Sequence, residues 1–156
     1  MASDIFLKLE GIKGEATAAG HAEEIELLAW SFGLSNSGSG TGAGAGAGKA
    51  SFSDLSFTAH LDASAPPLMQ ACATGKHFAK AQLIQRKAGG TQLEYIKIEL
   101  EEVFVTSVAG GGAEHPSVNY TLSFSKIKFE YQPQDAKGAK KGGAIPGTFD
   151  LKAVKK

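Results

Sequence analysis

The chain has 156 residues, 42% of them hydrophobic and 21% charged, a balance that packs as a globular protein and argues against a disordered one. Sixteen basic side chains offset sixteen acidic ones, so no net field draws in nucleic acid or an anionic membrane, and copies of the chain repel one another little. Cys72 is the only cysteine, which excludes an internal disulfide, and His21, His60, His77 and His115 show no paired zinc-ligand spacing.

The first segment alternates, with Ile5, Leu7 and Leu9 in one set and Phe6, Lys8 and Glu10 in the other. Period two predicts a strand that turns the first set to the core and the second outward. Asp4, Lys8 and Glu10 also interrupt the apolar run that a signal peptide needs, and no stretch approaches the roughly eighteen apolar residues of a membrane span. The expected location is the cytoplasm, without membrane insertion, and export would need a dedicated machine. Leu28, Trp30, Phe32 and Leu34 form the next alternating set, one residue out of phase with Ile25 and Leu27. Trp30 is thereby assigned to the core.

From Ser35 to Lys49 the chain becomes Ser, Asn, Thr, Ala and Gly, with glycine at alternate positions, and predicts a long extended loop. Leu55, Phe57, Ala59 and Leu61 alternate again. The 64–75 stretch breaks the pattern and predicts a short helix, with Ser64 as N-cap, Pro66 and Pro67 in the first turn and Gly75 as terminator. Leu68, Ala71 and Cys72 share its inner face, with Met69 beside them, so Cys72 reads as a small buried hydrophobe.

Ile96, Ile98 and Leu100 oppose Lys97, Glu99 and Glu101, then slip in phase to Val103 and Val105. A similar slip separates Val118–Phe124 from Ile127, Phe129 and Tyr131. Such slips indicate β-bulges or strands shared between sheets, and so a barrel or a tightly coiled sandwich. Ala109–Gly112 and Lys137–Gly143 read as glycine-rich turns, the latter before a last short strand at 148–154.

No reaction centre assembles from these pieces. Gly48-Lys49 has Ala43 and Ala50 where a phosphate-binding loop needs glycine and a hydroxyl, and the dinucleotide fingerprint is matched weakly by Gly40, Gly42 and Ala45 with no helix after them. Gly38-Ser39-Gly40 lies inside the loop rather than on a nucleophile elbow, and His77 stands at a strand entrance. Glu99 and Glu101 share a strand face, and Lys126 and Lys128 alternate to match, which suggests pairing across a sheet rather than acid–base work. No metal or cofactor site is expected.

Several stretches, in order, carry a resemblance: Asp4–Leu9, Ile12–Glu15, His21–Gly33, Ser53–Thr58, Ala71–His77, Arg86–Gly90, Tyr95 with its strand, Asn119–Ile127 and Tyr131–Gln134. In this series the chain resembles the haemolysin-coregulated protein (Hcp) family, the tube protein of the bacterial type VI secretion system. The resemblance covers nearly the whole chain and departs mainly at Ser37–Gly48, which is unusually rich in Gly and Ala here. It implies a mainly β fold, a barrel-like pair of curved antiparallel sheets with one flanking helix, in a single domain over 1–156. It further implies six copies in a ring and rings stacked into a hollow tube. A contractile sheath would drive this tube, tipped by a spike of the valine-glycine repeat family, out of the cell with small effector proteins held in the lumen. No catalytic residue comes with it.

Two surfaces are singled out. Ser37, Gly38, Ser39, Gly40, Thr41, Gly42 and Lys49 are candidates for contacts between subunits or rings, on the length of their loop. Ser31, on the strand face opposite the core, is a candidate to line the lumen and meet cargo. The alternative is a monomeric β-sandwich that binds a carbohydrate or peptide through the loop. An enzyme, such as a small hydrolase, would need a convergent pocket that these residues do not suggest.

Overall fold

The computed structural model describes residues 3–36, 50–88 and 92–151. Ten strands and one helix follow in the order β1 (Ser3–Leu9), β2 (Ile25–Ser31), β3 (Leu34–Asn36), β4 (Ala50–Phe52), β5 (Leu55–His60), α1 (Ala65–Thr74), β6 (His77–Lys87), β7 (Glu94–Gly111), β8 (Ser117–Ser123), β9 (Lys126–Tyr131) and β10 (Ile145–Asp150). The main sheet runs β10-β9-β7-β6-β1-β2-β5-β8, and β8 pairs back onto β7, so six antiparallel strands close into a barrel. β9 and β10 extend the sheet beyond it, and β3 with β4 makes a separate two-stranded ribbon.

Closure follows from β7, which is eighteen residues long. Its first part pairs with β9 as far as Glu101, and its last part pairs with β8 from Phe104 onward. Glu102 marks the changeover with a positive φ of 53°, and the inward set passes there from Ile98 and Leu100 to Val103 and Val105. A second shift, between Val105 and Ser107, moves the register on β8. A strand that changes partner and face in this way bends, and the bend brings the sheet round on itself. The slip in β2 is a bulge at Leu28, between the pairs Leu27↔Ala59 and Ala29↔Thr58. The slip after Phe124 has a different cause, because β8 ends at Ser123 and β9 begins at Lys126.

Inside, Leu7, Ile25, Leu55, Leu83, Ile98, Val103 and Leu122 are sealed from solvent. Each such side chain contributes about 1.5–3 kcal/mol by leaving water. α1 covers part of this core with Leu68 and Ala71, and Cys72 packs against it partly buried. Gly75 ends the helix in the left-handed conformation at φ 70°, while Lys76 N–H donates back to the Ala71 carbonyl at 3.0 Å. Ser64 occupies the cap position, but its hydroxyl donates to Asp62 Oδ1 and makes no cap hydrogen bond to the helix.

Several expectations change in the fold. Phe6 is buried rather than outward, because the segment from Gly11 to Glu24 folds over that side of β1. The bulge turns Leu28 outward, 50% exposed, Leu34 and Leu61 lie 59% and 51% exposed outside the core, and Met69 points away from the core at 60%. Ser35 belongs to β3 rather than to a loop. Ala109, Gly110 and Gly111 complete β7 rather than turning, with Gly110 opposite Val118. The last described strand is 145–150, displaced toward the N-terminus from 148–154.

Candidate functional site

Opposite the core, β2, β5, β8 and the end of β7 present two rows of small side chains set by register. Ser31 faces Ser56, Ser56 faces Thr121, and Thr121 faces Ser107. The neighbouring row runs Ala29, Thr58, Asn119 and Ala109. The two rows line a shallow groove of about 390 Å³. Hydrogen bonds tie part of this surface together: Thr58 Oγ1 donates to Asn119 Oδ1, Thr106 Oγ1 donates to Asp54 Oδ2, and the Thr121 hydroxyl meets those of Thr106 and Ser107, each at 2.6 Å. Small side chains locked in such a lattice give a smooth, neutral and weakly adhesive wall.

Trp30 fixes the edge of this wall. Its indole packs against Phe32 and Phe129, with ring centroids 6.2 and 6.1 Å away, and Nε1–H donates to Gln85 Oε1 at 2.8 Å. Gln85 Nε2 reaches Tyr95 Oη and Ser3 Oγ on its other side. Trp30 is thus half-buried at one end of the barrel, on the core side as expected, and the residue after it, Ser31, is turned outward.

The ribbon leaves the barrel just beyond this point. Gly33 N–H donates to Ser53 Oγ at 2.8 Å, and Ser53 N–H donates to the Gly33 carbonyl at the same distance. Phe52 beside them packs on Phe149 and Phe124. Ser37, Gly38, Ser39, Gly40, Thr41, Gly42 and Lys49 lie outside the described residues, but the strands that lead into and out of their segment are firmly rooted.

The opposite flank of the sheet carries the charges. Glu99 stands opposite Lys128, Glu101 opposite Lys126 and Lys97 opposite Glu130, so the pairing expected from alternation is the register observed. His77 opens β6 with its ring 5.1 Å from that of Phe104. Among the described residues, no three His, Cys, Asp or Glu side chains gather as a metal ion would require, and no helix is long and apolar enough to cross a membrane.

The sequence singled out Ser31 but not Ser56, Thr58, Asn119 and Thr121, which line the same groove. A signal was present, since these are the polar, off-core positions of the alternating strands. The cross-strand rows that unite them needed the register.

Barrel closure by a partner-switching strand, a wall of small residues and a separate two-stranded ribbon define a closed antiparallel β-barrel protein with one flanking helix. Comparison with known proteins makes this specific. The family described as type VI secretion system effector, Hcp, matches residues 6–131. Protein hcp1 of Pseudomonas aeruginosa is 51% identical over 97% of both chains. The crystal structure of Hcp1 from Salmonella typhimurium superposes with a TM-score of 0.81 at 37% identity, covering 98% of this chain and 97% of that one. A structure of a type six secretion system protein reaches 0.90 at 28% identity over 99% of both. The chain belongs to the Hcp family, and its role is that of a tube subunit of the type VI secretion system.

Proposed function

We propose that this chain assembles with copies of itself into hexameric rings that stack into a hollow tube, exported from the bacterial cytoplasm through the type VI system. Its immediate neighbours in that assembly are a spike protein of the valine-glycine repeat family and a contractile sheath. The chain works as a structural element without a catalytic residue, cofactor, nucleic-acid partner or membrane insertion.

The observation that carries this reading is the pair of small-residue rows across four strands, from Ser31 to Ser107 and from Ala29 to Ala109. Such a surface suits the inner wall of a channel, because it lets a polypeptide slide and offers hydroxyls to hold it weakly. Small effector proteins are the proposed cargo, and Ser31 lies on the surface that meets them. The segment that includes Ser37–Thr41, Gly42 and Lys49 is assigned to contacts between subunits or stacked rings.

The first test is the mass of the purified chain by size-exclusion chromatography with light scattering, followed by negative-stain imaging. A species near six chain masses with a central hole supports the ring. A clean monomer at micromolar concentration removes spontaneous assembly and brings forward the binding-module alternative. Deleting Gly38–Gly48 should weaken stacking while the barrel stays folded, and unchanged tubes would remove that role. Ser31→Gln should reduce retention of co-expressed cargo; full retention excludes Ser31 from the cargo surface.

A further inference from the structure

Outside the wall, the ribbon and the charged flank, the described residues include a buried ionisable cluster around His21. The segment from Gly11 to Glu24 crosses the outer side of β1 and is strapped mainly by its own backbone, with Gly14 N–H on the Glu23 carbonyl and Glu23 N–H on the Ala16 carbonyl. Its buried ionisable side chain is His21, 5% exposed, whose ring lies parallel to that of Phe6 with centroids 4.5 Å apart. Nδ1 lies 3.0 Å from Glu24 Oε1, and Nε2 lies 2.9 Å from Glu94 Oε2 at the head of β7.

A carboxylate oxygen only accepts, so both contacts are hydrogen bonds only when both ring nitrogens carry hydrogen. With one hydrogen, the ring must give up one carboxylate. Glu24 is 14% exposed and Glu94 45%, so water can take over the bond to Glu94 far more readily. The remaining charges around the ring come from every element beside it. β1 supplies Asp4, β2 supplies Glu26 opposite Phe6, and β6 supplies Arg86. The Arg86 guanidinium carbon is 5.1 Å from the Phe6 ring centroid; Nη1 donates to the Ala19 carbonyl at 3.2 Å, and Nε lies 3.8 Å from Asp4 Oδ2. Arg86 is the fixed cation among carboxylates, so a proton on the imidazole brings the cluster closer to neutrality.

We infer that His21 is a proton-controlled latch that ties the Gly11–Glu24 segment to the β6–β7 end of the barrel. The doubly protonated ring closes the latch, and loss of one proton releases Glu94 and loosens the segment while the barrel stays intact. The latch is independent of the tube reading, since it acts within one chain.

The test uses the full chain, melted at several pH values between 5.5 and 8.5, where exposed carboxylates stay ionised. The parent should melt above His21→Gln by a margin about 3 °C larger at pH 5.5 than at pH 8.5. Glu94→Gln, which leaves the imidazole in place, should abolish most of that difference. Nitrogen NMR of histidine-labelled protein should show two ring N–H groups on His21 at the acidic end and one at the alkaline end. Hydrogen exchange should then quicken in 14–24 without quickening in β2, β5 and β8. A margin that does not change with pH, or a His21 ring with the same number of N–H groups throughout, overturns the latch. If His21→Gln fails to fold, Glu94→Gln and the NMR titration decide the question alone.

Discussion

The indole Nε1–H of Trp30 donates a hydrogen bond to Gln85 Oε1 at 2.8 Å, joining β2 to β6 at the end of the barrel from which the ribbon departs. Gln85 in turn donates to Tyr95 Oη at 2.9 Å and to Ser3 Oγ at 3.0 Å, so four strands meet in one side-chain network. Gln85→Leu should leave the indole N–H and the Tyr95 hydroxyl short of a partner and cost about 1–3 kcal/mol. Trp30 is the sole tryptophan, so its emission in a urea titration reports both the stability and the local change. An unshifted midpoint and spectrum would mean that the network does not hold this end.

Gly14 is required by space rather than by conformation. A Cβ there would lie 2.4 Å from the Glu24 carbonyl oxygen and 2.7 Å from Ile25 Cα, both backbone atoms that cannot swing aside. Gly14→Ala should destabilise by about 1–3 kcal/mol or more. Gly111, whose Cβ would meet nothing within 4 Å, is the control: Gly111→Ala should be neutral or slightly stabilising. Melting temperatures of the two variants check the contrast.

Tyr120 makes stability depend on alkali. Burial pushes its phenol up to about 12, the Ser64 hydroxyl draws it slightly down, and the charge of Asp62 adds to the rise. An unfolded tyrosine loses its proton near pH 10 while this one retains it, so between about 10 and 12 the unfolded state binds fewer protons and stability falls as pH rises. The contribution is fully present below pH 10, and about 2–3 kcal/mol is lost by pH 12. The polar neighbour of Tyr120 Oη, the Ser64 hydroxyl, already donates to Asp62 Oδ1, so Tyr120→Phe should be near neutral at pH 7 and should flatten the alkaline loss. Denaturant midpoints at pH 8 and pH 11 test the sign.

Neighbouring residues on α1 should separate cleanly. Leu68 is fully buried against the barrel, and Met69 points to solvent. Leu68→Ala should cost about 2–5 kcal/mol, and Met69→Ala should stay within about 0.5 kcal/mol. Equal losses in thermal unfolding would place the helix in a different rotation on the barrel.

The charged register should respond to salt. Glu99→Lys sets like charges across from Lys128 and should destabilise by about 0.2–1 kcal/mol at low ionic strength. The deficit should shrink in high salt, because exposed charges are screened. A deficit that does not change with salt would point to lost packing instead.

Much of this protein was legible from the chain alone. Period two identified the strands because side chains on an extended backbone alternate, and the slips after Leu27 and Leu100 marked where the sheet bends, because one extra residue reverses every face beyond it. Pro66, Pro67 and Gly75 bounded the helix through local backbone preference. The matching alternation of Glu99, Glu101, Lys126 and Lys128 anticipated a register.

The tertiary structure decided what depends on residues distant in sequence. A phase slip has the same appearance whether it is a bulge at Leu28 or a turn after Phe124, and the hydrogen-bond pairing separates the two. The row Ser31–Ser56–Thr121–Ser107 exists only once four strands are set in register, although each member looked unremarkable in its own strand. Phe6 looked outward-facing because alternation reports two faces but not what covers them. His21 and Glu94 are 73 positions apart, and no local rule relates them. Local chemistry selects the elements, whereas the burial of a shared core selects which of them meet, and the wall and the latch are products of that second choice.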